Sequence, residues 1–203
     1  MANAVQKVTF HFDPACPWTW RTHQWLLDVT SRNQISVEYR SFELSNGAPI
    51  DAVPEQYRAS AAASREFLRG LEKAHADRRD DIVGEAYTAY GTLLHEQGQS
   101  PSSQLVQQAF AEHGGADYVH ALSDDSLDAV VAASRARAEE FSGDDTGSPV
   151  LVLTAGSGDR GFFGPVVAPA PKGADADRLW EAVATAATLQ GFFELKARRT
   201  TSP

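Results

Sequence analysis

Val8 to Phe12 alternates β-branched and aromatic residues and stops at Asp13-Pro14, the pattern of a short strand running into a turn. Cys16-Pro17 opens the next segment. Pro17 suits a first helical turn, where its missing N–H has no partner to lose. Trp18, Trp20, Trp25, Leu26 and Val29 then mark a helix with a heavily apolar side that ends near Ser31 to Asn33. Alternation returns from Ile35 to Phe42, so the chain opens β-α-β. From Pro54 to about Glu140 the pattern becomes helical, and the spacing predicts helices over Glu55–Ala76, Asp81–Gln97, Ser102–His113 and Leu127–Phe141. Val150 to Leu153 reads as a strand, Gly156 to Gly161 as a turn and Phe162 to Val167 as a second strand. A closing helix is predicted over Asp175 to Arg198, with Leu179, Trp180, Val183, Ala187 and Leu195 as core candidates. The sum is an α/β chain, β-α-β, a helical insert, then β-β-α.

A chain of 203 residues can bury a sizeable core and suits one domain, or one domain carrying a large insertion. No stretch approaches the roughly 20 apolar residues that cross a bilayer, and the first residues lack a signal-peptide apolar run, so a cytoplasmic protein is expected. The net charge of −9, with no basic cluster longer than Arg198-Arg199, disfavours a nucleic-acid surface and points to small molecules or proteins as partners, with no membrane role. The single cysteine excludes an internal disulfide. Arginine outnumbers lysine and alanine is abundant, a composition suggestive of a GC-rich genome.

The predicted chemistry rests on Cys16. A cysteine at a helix start meets unpaired backbone N–H groups and the positive end of the helix dipole, which favour the thiolate, the form that attacks disulfides and electrophiles. Trp18 and Trp20 fit either an organic-substrate surface or the core. Downstream, Gly147-Ser148-Pro149 precedes the apolar strand at Val150. A cis Ser148-Pro149 bond would leave the Ser148 backbone free to hydrogen-bond an incoming sulfur compound.

Phe12-Asp13-Pro14-Ala15-Cys16-Pro17-Trp18, the helical insert, Gly147-Ser148-Pro149 and Phe162-Phe163-Gly164-Pro165 resemble the DsbA-like branch of the thioredoxin superfamily. Within that branch the likeness is to mycothiol-dependent reductases. It extends to Pro54-Glu55-Gln56-Tyr57-Arg58, to His95 with Gln97-Gly98, and to Leu179-Trp180 and Phe192 to Lys196. The resemblance implies a thioredoxin-like domain made of residues 1–53 and 144–203, with a helical domain, 54–143, inserted. It implies a thiol oxidoreductase with Cys16 as nucleophile, no tightly bound cofactor, and mycothiol or another small thiol as co-substrate. Pro17, Trp18, Ser148, Pro149, Tyr57 and His95 would line the thiol site. A homodimer is compatible with it. Dithiol members carry a resolving cysteine where this chain has Thr19. A monothiol must instead be resolved by a second small-thiol molecule, and Thr19, one helical turn on, can donate an O–H to the thiolate.

Two other readings stand beside this one. A transferase or isomerase resembling kappa-class glutathione transferases or chromene-carboxylate isomerases would keep the fold but place the thiolate on the co-substrate, and a non-catalytic thiol- or protein-binding paralogue would keep the fold without turnover. Gly156-Ser157-Gly158-Asp159-Arg160-Gly161 matches the dinucleotide glycine pattern, but that pattern must open a helix, and the apolar strand that follows makes a hairpin loop the expectation. The histidines lack metal-ligand spacing, so no metal is expected, and His95 reads first as a capping or solvated side chain. Asp13 is expected to be a turn residue before Pro14, and Tyr57 and Arg58 fit either a cleft wall or simple packing.

Overall fold

A computed structural model of the chain describes residues 5–156 and 158–203. Strand β1 (Lys7–Phe12) leads through a tight turn into α1 (Pro17–Asn33), which returns to β2 (Ser36–Ser41). Between β2 and the next strand lie α2 (Glu55–Ala76), α3 (Asp80–Gly91), α4 (Ser103–Glu112) and α5 (Asp128–Ser142). A widened π turn, Thr92–Glu96, continues α3, and a 3-10 stretch, Ala116–Ser123, follows α4. The chain closes with β3 (Val150–Ala155), β4 (Gly158–Phe163) and α6 (Ala174–Ala186).

The strands order β2-β1-β3-β4, with β1 parallel to β2 and antiparallel to β3, and β3 antiparallel to β4. This is the thioredoxin arrangement with a helical insertion. Period-two alternation sorts the residues of β1: Phe10 and Phe12 stack toward His23 of α1 and Tyr87 of α3, while His11 faces Ser134 of α5. One apolar cluster joins sheet and insertion, from Val8, Phe10 and Leu151 to Phe67, Leu71, Tyr90 and Phe110. A smaller cluster of Phe42, Ala138, Val150 and Val152 seats α5 on the other face.

Two predicted boundaries move. The second strand of the hairpin occupies Gly158–Phe163 rather than Phe162 to Val167, and Val150 pairs with Phe163 and Ala155 with Gly158. Its residues have no apolar alternation because α5 selects them: a Cβ on Gly161 would come within 2.5 Å of Phe141. The strand ends where Gly164 takes φ +93° ahead of Pro165, which has no N–H to pair. The glycine-rich run is thus a hairpin and opens no helix, with Ser157 outside the described residues. The last helix stops at Ala186 instead of Arg198. There the Thr188 hydroxyl donates to the Thr185 carbonyl, the turn tightens through Leu189 N–H to Ala186, and Gly191 turns left-handed at φ +87°. Trp180 and Ala187 are buried as expected, whereas Leu195 is 91% exposed. No helix among the described residues is long and apolar enough to cross a membrane.

Candidate active site

Cys16 is the N-cap of α1, held by its own N–H donating to the Asp13 carbonyl. Pro17 at the first helical position is exposed, Trp18 is half-buried, and Thr19 and Trp20 are buried. The loop before β3 closes on this helix start. The Ser148-Pro149 bond is cis, the Cys16 thiol donates to the Ser148 carbonyl at 3.7 Å, and the Thr19 and Ser148 hydroxyl oxygens are 2.8 Å apart. The N–H of Asp13 donates to the same Ser148 Oγ at 2.9 Å. Beneath them the buried Asp13 carboxylate accepts from the Ala15 N–H (2.8 Å), the Ser64 hydroxyl (2.7 Å) and the Leu44 N–H (2.8 Å). Asp13 is a turn residue, as expected, and it also ties α2 and the loop after β2 to the cysteine turn.

Electrostatics depart from the simple helix-start argument. Burial pushes the Cys16 thiol up; the Thr19 hydroxyl and the Thr19 and Trp18 N–H groups pull it down, while the Asp13 charge adds to the rise. Cys16 is only 8% exposed, so loss of solvent outweighs the helix terminus. Burial raises Asp13 as well, against its three donors. His95, on the π turn, donates Nε2–H to the Pro14 carbonyl at 2.9 Å and stacks on Trp20 with centroids 6.0 Å apart. Because a carbonyl only accepts, Nε2 carries the proton, and burial holds the ring's pKa down so that it is neutral near pH 7. His95 therefore braces the turn that carries Cys16. Gly91 makes room for this packing, since a Cβ there would sit 2.3 Å from the Trp20 ring.

Residues 15–197 match the family described as Rv2466c-like, mycothiol-dependent nitroreductase Rv2466c. The chain belongs to this family. An uncharacterized Mycobacterium tuberculosis protein, Rv2286c, is 27% identical over 195 residues, which is 95% of this chain and 82% of that protein. A probable DsbA oxidoreductase from Streptomyces coelicolor superposes with TM-score 0.53 at 19% identity, over 96% of this chain and 94% of that one. A 2-hydroxychromene-2-carboxylate isomerase superposes with TM-score 0.56 at 17% identity, over 89% and 94%. These structural likenesses establish a DsbA-like thioredoxin fold. Membership of the Rv2466c-like family supports a thiol-disulfide oxidoreductase-type function.

In this Rv2466c-like chain the structure brings Cys16, Thr19, Ser148, Pro149 and His95 to one end of α1, with Pro17 and Trp18 at its open side. Tyr57 is 57% exposed at the start of α2, and no hydrogen bond or ring contact joins it to Cys16 among the described residues. Arg58 packs, donating to the Val53 and Asp51 carbonyls. Trp20 belongs to the core. Three contributions escaped the sequence: the Ser148 hydroxyl, the Asp13 knot, and Arg199, whose guanidinium lies 4.7 Å over the Trp18 ring. Each joins residues far apart along the chain, and neither periodicity nor local spacing signals them. No group of three or more His, Cys, Asp or Glu among the described residues could hold a metal ion.

Proposed function

We propose that the chain is a cytoplasmic monothiol oxidoreductase that uses a small thiol of the mycothiol type as co-substrate, with Cys16 as its nucleophile. The observation that carries this reading is Cys16 at the N-cap position of α1 with its thiol donating to the Ser148 carbonyl, in an Rv2466c-like chain with no second cysteine. The Cys16 thiolate attacks one sulfur of a mixed disulfide, the new S–S bond forms as the old one breaks, and the other half leaves as a thiolate. A second small-thiol thiolate then attacks the adduct sulfur, releasing a symmetrical disulfide and restoring Cys16. Thr19 donates its O–H to the thiolate, the Ser148 backbone docks the incoming compound beside Pro149, and Trp18 and Pro17 border the opening. His95 holds the cysteine turn, and Tyr57 lines the outer approach. Residues 54–143 act as a helical domain inserted into the thioredoxin-like one formed by 1–53 and 144–203.

The raised thiol pKa is compatible with this cycle. Each tenfold loss in thiolate fraction is offset about threefold by the greater intrinsic nucleophilicity of the more basic sulfur. Incubation with mycothiol disulfide or glutathione disulfide should add one thiol to the wild type by intact mass and none to Cys16→Ala. An unmodified wild type overturns the mechanism.

Burial of Cys16 favours one second reading, in which the protonated Cys16 donates to a thiolate that belongs to the bound co-substrate, as in a thiol transferase or isomerase. Conjugating or isomerising activity that survives in Cys16→Ser would replace the first reading with this one.

A further inference from the structure

Beyond α6 the chain crosses from the sheet to the Cys16 end of α1. Phe192 sets its ring edge-on to Phe162 of β4, with centroids 5.7 Å apart, and the Arg160 guanidinium donates to the Leu189 carbonyl at 3.4 Å. Further on, the Thr201 hydroxyl donates to the Ala168 carbonyl at 3.3 Å. The loop that carries Ala168 is itself fixed to α1, where the Thr22 hydroxyl donates to the Pro165 carbonyl at 2.7 Å. Between these anchors the Arg199 guanidinium lies 4.7 Å from the centroid of the Trp18 ring, two residues from Cys16. Past Phe192 this strap makes no backbone–backbone hydrogen bond among the described residues, and residues 193–202 are all exposed. Side chains alone hold it in place.

The charge that the strap brings is opposite to that of the whole chain. Among its side chains Lys196, Arg198 and Arg199 stand against Glu194, in a protein of net charge −9. Arg21, three positions after Trp18 and so its neighbour on the α1 surface, donates to the neutral Gln24 amide oxygen at 3.0 Å. Glu96 accepts from the nitrogen of that amide at 2.5 Å. Neither Arg21 nor Arg199 is in an ion pair among the described residues, whereas Arg40, Arg65 and Arg69 each hold a carboxylate within 3.0 Å. A guanidinium held over an aromatic face keeps its N–H edges free, and those edges take a carboxylate through two parallel hydrogen bonds.

We infer that Arg199, seated on Trp18 by this strap, is a specificity-determining residue of the Cys16 site, and that the oxidised substrate is anionic: a small disulfide with a carboxylate close to its sulfur. The inference rests on the proposed reading of Cys16 as nucleophile and adds the charge class of what it attacks. The Cys16 thiolate attacks the sulfur of the half that Arg199 holds, one S–S bond forms as the other breaks, and the other half leaves as a thiolate. A chain of this net charge would otherwise repel such a substrate; a cation at the opening concentrates it there and turns its sulfur inward.

The test compares iodoacetate with iodoacetamide, reagents of nearly equal size that differ by one negative charge, in alkylation of Cys16 in the full chain. Each forms an S–C bond and expels iodide, so the thiolate fraction cancels from the ratio of their rates. Arg199→Gln should lower the iodoacetate-to-iodoacetamide ratio about threefold or more, the scale of one exposed ion pair with steering added. Arg199→Lys, which keeps the charge, should hold most of the ratio. Trp18→Leu should lower it as Arg199→Gln does, and the double variant no further, because the ring seats the cation. Salt at about 0.5 M should bring the wild type down to the Arg199→Gln value. Arg199→Gln should also slow adduct formation from dithiodipropionate about threefold and leave neutral hydroxyethyl disulfide unmoved. A ratio that Arg199→Gln leaves unchanged, or that Arg198→Gln lowers equally, overturns the inference and reduces the Trp18 contact to an anchor. Iodoacetate needs no co-substrate. A wild type that takes no small-thiol adduct yet shows the Arg199-dependent ratio would remove the proposed function and keep the anion-selective opening.

Discussion

The polar knot of Asp13, Ser64, Ser148 and Thr19 and the aromatic box of Trp20, His23, Tyr87 and Tyr90 meet at Cys16 and are built on opposite principles. In the knot, the carboxylate and the Thr19 and Ser148 hydroxyls have partners within 2.9 Å, drawn from four separate segments. In the box, Trp20 Nε1, His23 Nδ1 and the Tyr87 and Tyr90 hydroxyls are buried with no hydrogen-bond partner among the described residues. The rings nevertheless pack closely, His23 on Tyr87 at 4.5 Å and Phe12 on Tyr87 at 4.2 Å between centroids. Magnitudes explain why the box is tolerated. A large aromatic buries about 150–250 Å², worth roughly 4–6 kcal/mol, against about 1–3 kcal/mol for one orphaned polar atom. The knot has no such apolar reserve, so its geometry must be complete. The two regions act differently on Cys16: burial raises its thiol, the Thr19 hydroxyl of the knot and the first N–H groups of α1 offset part of that rise, and the Asp13 charge adds to it.

Breaking the knot should cost most. Asp13→Ala takes the acceptor from the buried Ser64 hydroxyl and from the part-buried Ala15 and Leu44 N–H groups and should destabilise by about 3–5 kcal/mol in urea unfolding. Asp13→Asn, which keeps one acceptor oxygen, should recover part of that. A loss below about 1 kcal/mol for Asp13→Ala would show that the knot and the box differ in appearance only.

The box should instead reveal itself through acid. Burial lowers His23 from its ordinary value near 6.5 to about 3, so its contribution is present above pH 6.5 and is lost as pH falls toward 3. Between pH 7 and 4.5 the wild type should therefore lose about 3 kcal/mol that His23→Phe retains. Parallel curves for the two proteins would contradict the assignment. His11, whose pKa is lowered to about 4 by burial, is present in both and cancels.

A smaller effect is expected at the seam. Gly91→Ala pushes a methyl into the Trp20 ring, which is wedged among His23, Tyr87 and His95, and should cost about 1–3 kcal/mol by thermal unfolding. An unchanged melting temperature would mean that the box yields more readily than its packing implies.

Most elements were legible because their signals are local. The Cys16-Pro17 start of α1, the proline-free α2 and the β-branched run of β3 each declare themselves within a few residues. The misses share a different cause. Gly158 and Gly161 form a strand because Val152 and Phe141 are there to meet it, and Ala116–Ser123 winds as a 3-10 stretch under α2 with no periodic pattern to announce it. At the site, Cys16, Ser148 and Pro149 were readable from motif and position. The burial that raises the Cys16 thiol was not, since its walls come from α1, α3 and the loop before β3. Nor was the His95 bond to the Pro14 carbonyl, which spans 81 positions of sequence.

The π turn at Thr92–Glu96, where the Gln97 N–H reaches back to the Thr92 carbonyl, makes segment length a protected quantity there. A substitution can keep the extra residue of that turn; a deletion cannot. Removing one residue between Gly91 and His95 would restore ordinary helix pitch and swing His95 by about 100° around the helix axis, carrying its imidazole away from Pro14. In this stretch, variation in spelling is tolerable and variation in register is not.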